Sequence, residues 1–176
     1  YANNNENNPW CTIGRAAWGS TEWYSQNSNE AARAGDIVYI SEGVYWESGP
    51  LASESHRFSP VLSPVNDGNP TEPIVFQGLG NVQVRLQEGV RGPMIGCAGS
   101  NYIHWKNFNI DDYYGGSQPD TGPVHFGGTG CRLEDSIIKG HNGEYYWGYP
   151  TYIANYRLVS VEGAESTVIR NNEIYQ

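Results

Sequence analysis

A short motif recurs in step along the chain, and that recurrence narrows the possible folds more than any other feature. Three units superpose: Tyr102 to Ile110, Cys131 to Ile138 and Val168 to Ile174. Trp105, Leu133 and Ile169 share one position, and Ile110, Ile138 and Ile174 share another. Asn107, Asp135 and Asn171 share a third, at the bend between two strands. Looser versions come earlier, in Asp36-Ile-Val-Tyr-Ile40 with Gly43-Val-Tyr45, and in Pro73-Ile-Val-Phe76 with Val82 and Val84. Strands this short, separated by glycine and asparagine, cannot each bury a face alone. Coils stacked about 4.8 Å apart bury one continuous core instead. An antiparallel sandwich also supplies short strands, but not a bend residue that returns in register. The pattern predicts an all-β chain: a right-handed parallel β-helix, or solenoid, over 36–176, with an N-terminal arm and short helical cap over 1–35.

Within that first stretch only Thr12-Ile-Gly-Arg-Ala-Ala-Trp18 and Asn29-Glu-Ala-Ala-Arg-Ala34 suit a helix, with Asn29 as an N-cap and Gly35 as a stop. Both are expected to cover the first coil, whose bare strand edge would invite unwanted pairing. At the other end, Ile174-Tyr-Gln176 closes a coil's last strand, so either the natural protein continues or another molecule covers that coil. A start at Tyr1 fits a processed N-terminus.

Charge narrows the partners. With 10 basic and 19 acidic residues, the net charge of -9 argues against nucleic acid, whose phosphates need lysine and arginine. No apolar run approaches the roughly 18 residues of a membrane span. Cys11, Cys97 and Cys131 show no metal-ligand spacing and are odd in number. They read as small buried hydrophobes, with a Cys11 disulfide as the alternative.

The long loops carry the candidate site. Residues 111–120 follow the strand ending at Ile110, and residues 139–152 follow the equivalent strand ending at Ile138, so the two loops should leave one corner side by side. Together they gather Tyr113, Tyr114, Tyr145, Tyr146, Trp147, Tyr149 and Tyr152, with Asp111 and Asp112 at the strand end. Flat rings with polar edges stack on the C–H face of a sugar while nearby carboxylates hold its hydroxyls. The same rings also serve as a small loop core or a protein interface. Asp111 and Asp112 are open to three readings: solvated loop acids, an acid–base pair, or oxygen ligands for calcium. Neighbours on a strand point to opposite faces, so they act together only if the chain bends there.

The remaining polar residues read as structural. Lys106, Glu134 and Arg170 align with alternating sign as an outward salt-bridge ladder. Asp135 joins Asn107 and Asn171 in a hydrogen-bond ladder at the bend. His104 and His125 alternate with core residues and should face outward. Lys139 is the one lysine placed near a groove.

Three segments carry a resemblance: Pro9-Trp-Cys-Thr-Ile-Gly-Arg-Ala-Ala17, Ala34-Gly-Asp-Ile-Val-Tyr-Ile-Ser-Glu-Gly-Val-Tyr45 and Pro70-Thr-Glu-Pro-Ile-Val-Phe76. Over nearly its whole length the chain resembles the N-terminal coils of secreted right-handed β-helix proteins of the chondroitinase-B and alginate-lyase kind. The resemblance implies an extracellular protein associated with polysaccharide. In that family the catalytic lysine and arginine and the calcium-binding acids lie in later coils, and no segment here matches them, so no catalytic residue carries over. The expectation is a module that binds polysaccharide without catalysing by itself. The alternative is a structural subunit that self-associates into a fibre or sheath through coil ends and aromatic loops.

Overall fold

The computed structural model describes residues 9–49, 59–87, 90, 92–111, 122–140 and 158–175. The chain is rich in β-structure, and every strand pair among the described residues is parallel. Strands β1 (Ile37–Glu47) and β2 (Ile74–Leu86) are long, and their pairing shifts register between Ser41 and Gly43. Past that corner each strand serves a second row. The first half of β2 pairs with β4 (Ile103–Lys106), and its second half pairs with β5 (Asn109–Asp111). From β4 the first row continues to β7 (Arg132–Glu134) and β10 (Val168–Arg170). From β5 the second continues to β8 (Ile137–Lys139) and β11 (Glu173–Tyr175). A separate sheet runs from β3 (Ile95–Cys97) through β6 (Val124–Phe126) to β9 (Val159–Val161), and Leu62 bridges to Ile95 at its start. In all three rows the strands follow one another in chain order.

The register bears out the repeat read from the sequence. Trp105 pairs with Leu133 and Leu133 with Ile169. Ile110 pairs with Ile138 and Ile138 with Ile174. The shared bend has a conformational cause: Asn107, Asp135 and Asn171 all have left-handed backbones, with φ of 58°, 54° and 55°. Asparagine and aspartate tolerate that region because their short side chains bond locally. Asn171 donates to Asp135 at 3.1 Å, and Asn107 donates to the Gly78 carbonyl at 2.9 Å. A second left-handed corner stacks Tyr102, Gly130 and Ser166. Gly130 is required there, since a side chain on it would enter the Tyr102 ring.

Alternate strand residues turn inward to one core that spans the separate sheets. Trp105 is its centre: its ring stacks on Phe76 at 4.4 Å, meets Phe108 edge-on, and donates its Nε1 proton to the Gly96 carbonyl of β3, in the three-stranded sheet. Cys97 and Cys131 are joined by a disulfide. This corrects their reading as unbonded small hydrophobes; both are fully buried, yet they also tie β3 to the start of β7. Cys11 is the free, exposed thiol.

The cap is half as helical as expected. Helix α1 (Ile13–Trp18) is closed by Thr12 at its N-cap and by left-handed Gly19 at its end. It buries Ile13, Ala16, Ala17 and Trp18 in the shared core, and Trp18 donates to the Val61 carbonyl at 2.9 Å. The buried Glu47 carboxylate accepts the Ile13 and Gly14 amides, fastening α1 to the end of β1. Burial pushes the Glu47 carboxyl upward, while those two amides oppose the shift. The segment 29–34, by contrast, is turn rather than helix. Ala32 spends its amide on the Ala16 carbonyl of α1, which removes the bond that would have carried a helix through it. No helix among the described residues is long and apolar enough to cross a membrane.

Candidate functional site

Where the second row of strands ends, parallel register lines up one outward side chain from each strand. Trp46 of β1 pairs with Arg85 of β2, Asp111 of β5 with Lys139 of β8, and Lys139 with Tyr175 of β11. Val84 pairs with Ile110, which sets Arg85 beside Asp111 one step further along. The inward neighbours Val84, Ile110 and Ile138 are buried and hold the strands in place. At about 4.8 Å per strand, the five residues make a row roughly 19 Å long.

Its chemistry is graded. The Arg85 guanidinium lies 5.4 Å over the Trp46 ring and bonds the Asp111 carboxylate at 2.9 Å. Both charged side chains of that pair are mostly shielded, at 22% and 12% exposure, so water screens the pair less than it would a surface pair. Lys139 lies on the other side of Asp111 and is exposed, and Tyr175 is half exposed. The row therefore runs aromatic, cation, anion, cation, aromatic. Such an order can stack two flat apolar faces and hold hydroxyls or a charged group between them.

Of the residues expected here, Asp111 is placed by the structure; Asp112, Tyr113, Tyr114, Tyr145, Tyr146, Trp147, Tyr149 and Tyr152 lie outside the described residues. The strands leading into both long loops do end side by side, since Asp111 and Lys139 are partners. The bond to Arg85 gives Asp111 a partner other than Asp112. Among the described residues no three His, Cys, Asp or Glu side chains gather as metal ligands. Trp46, Arg85 and Tyr175 were missed by sequence reasoning. The signal was present, because Val84 occupies the Ile110 position of its coil and the next residue follows in register.

Elsewhere the polar residues are structural. Glu134 is ion-paired with Lys106 at 3.1 Å and with Arg170 at 2.7 Å, which is the expected ladder, but the carboxylate itself is buried rather than outward. Burial would raise its carboxyl, but the two cations outweigh burial and hold it low. His125 departs from its expected outward exposure: it is buried, and its Nδ1 meets the Ser160 hydroxyl at 2.8 Å. It does lie on the face of β6 opposite Val124 and Phe126, but that face is covered, with Pro60 close over the neighbouring Gly96. His104 is half-buried on β4; burial, then Arg132, pushes it down to about 4.

No known protein family matches the chain, and no curated protein or solved structure is significantly similar to it.

Proposed function

We propose that this chain is a right-handed parallel β-helix module of an extracellular protein and that it binds polysaccharide along the row Trp46–Arg85–Asp111–Lys139–Tyr175. The fold reading is supported by three parallel rows running in chain order around one core. A right-handed path follows from the twist that makes nearly all parallel crossovers right-handed. An extracellular setting is supported by the buried Cys97–Cys131 disulfide, a bond that persists in oxidising compartments.

The row itself carries the functional reading. It lies across the strands, and its spacing is close to the length of one sugar unit, so a linear glycan can lie along it with successive units meeting successive side chains. The reading is one of binding, since Arg85 already pairs with the Asp111 carboxylate. Self-association end to end is less well supported, since α1 and Trp18 occupy the core at the first coil.

A titration with a panel of soluble polysaccharides tests this. For any glycan that binds, Trp46→Ala and Tyr175→Ala should each weaken affinity by about fivefold, the size of one lost stacking contact. Both variants should keep the far-ultraviolet circular dichroism of the parent. Unchanged affinity in both variants would reject the row as the binding surface.

A further inference from the structure

The outer face of the first row of strands carries more positive charge than its one carboxylate offsets. Trp105 and Leu133 turn inward, so His104 and Lys106 on β4, Arg132 and Glu134 on β7, and Arg170 on β10 share the opposite face. Lys106 and Arg170 close on the Glu134 carboxylate from the two neighbouring strands, which gathers their charged ends around one point. Arg132 stands two residues before Glu134 on the same strand. That is about 6.6 Å along the strand, within the sweep of a flexible guanidinium.

Arg132 is the charge left over. It is half-buried between His104 and Val168, yet among the described residues no carboxylate reaches its guanidinium. A partly desolvated cation without a counter-charge is costly. The neighbour feels it: burial, then Arg132, pushes the His104 imidazole down to about 4. Three cations against one carboxylate leave this face two positive charges, on a chain whose formal net charge is -9. Distant acids do not cancel that surplus, because exposed charges beyond about 8 Å are largely screened at physiological salt. Asp135, the next residue along the chain, is turned into the bend, where it accepts from Asn171.

We propose that Arg132, Lys106 and Arg170 form a binding site for a doubly charged tetrahedral oxyanion, a phosphate group present as the free ion or as a monoester. Its charge equals the surplus of the face. The planar guanidinium forks of Arg132 and Arg170 suit its oxygens, and Lys106 adds a point charge. Arg170 is 58% exposed and Lys106 33% exposed, so both keep donors open to solvent while they hold Glu134. A carboxylate or a sulfate ester, with one charge, would leave half the surplus unmet. The site lies on the first row of strands, whereas the glycan row crosses the second, and it does not depend on that reading.

The test uses the full chain and inorganic sulfate, whose double charge is constant across the pH range needed, against chloride at equal ionic strength. Nuclear magnetic resonance should show saturable shifts of the His104 ring and the Arg132 side chain at millimolar sulfate, while Lys139 stays unmoved. Arg132→Gln should weaken sulfate binding by at least about tenfold. In the parent, saturating sulfate should raise the His104 pKa by about 1, because an anion beside Arg132 offsets the charge that holds it down. If Arg132→Gln fails to fold, that titration decides the matter alone. Methyl sulfate, with one charge, should bind at least about threefold more weakly than sulfate. Inorganic phosphate should bind like sulfate, and glucose 6-phosphate then separates the two sources: equal affinity identifies an esterified ligand, weaker affinity the free ion. The proposal is overturned if no shift saturates, if Lys139 moves as much as Arg132, if His104 titrates alike in sulfate and chloride, or if methyl sulfate binds as well as sulfate.

Discussion

His104 sits on β4 between Val75 and Arg132, and its environment opposes a second positive charge. Burial and the Arg132 guanidinium push it down to about 4 from an ordinary 6.5. As pH falls from about 6.5 toward about 4, the unfolded chain takes up a proton that the folded chain refuses, so folding loses stability across that window. Above 6.5 the contribution is complete, and below 4 the loss is complete. Replacing His104 with glutamine removes the titration while keeping a polar side chain. Urea midpoints of parent and variant, compared at about pH 7 and about pH 4.5, should therefore drop less for His104→Gln. Equal drops would mean that His104 titrates normally. His125 is lowered by burial in the same sense, so the variant should retain part of the acid sensitivity.

At the level of elements, the bend after each first-row strand decides whether the next strand lands in register. Asp135 holds a left-handed backbone there and accepts from Asn171. Asp135→Ala should cost about 1 to 2 kcal/mol, the penalty of placing an ordinary side chain in that region. Asp135→Asn should stay close to the parent, and chemical denaturation of the pair checks the difference. This bend was legible in the sequence because Asn107, Asp135 and Asn171 recur beside apolar residues that keep step. The inward columns were legible for the same reason. The segment 29–34 was not, because its alanines suit a helix locally and only their contact with α1 turns them into an irregular anchor. Arg85 lay one residue beyond a recognised repeat position, in a coil whose alignment was looser. The burial of His125 depended on a covering layer that strand alternation does not describe.

Across the whole molecule, the parallel rows make each strand depend mainly on its neighbours in the row, and the disulfide adds a covalent cross-link between two sheets. Its partners lie 34 residues apart and on different sheets, so no spacing rule pointed to them; the pairing emerges only when β3 and β7 are brought around one core. Closing a loop of that length lowers the entropy of the unfolded chain by an amount worth about 4 kcal/mol in the chain-entropy picture. The double variant Cys97→Ala with Cys131→Ala should lose stability on that order, and urea unfolding of the parent under reducing conditions should move toward it. A midpoint unchanged in the double variant would show that the bond closes no loop that matters to folding.

The stacked bends of Asn107, Asp135 and Asn171 have a consequence for the history of such a chain. Each marks the same step between paired strands, while the segments joining successive steps differ in length. Material can therefore be gained or lost between them one strand set at a time without disturbing the register of the rest. A chain built this way is free to lengthen by integer steps, and surface novelty accumulates in the loops while the register of the parallel rows is kept.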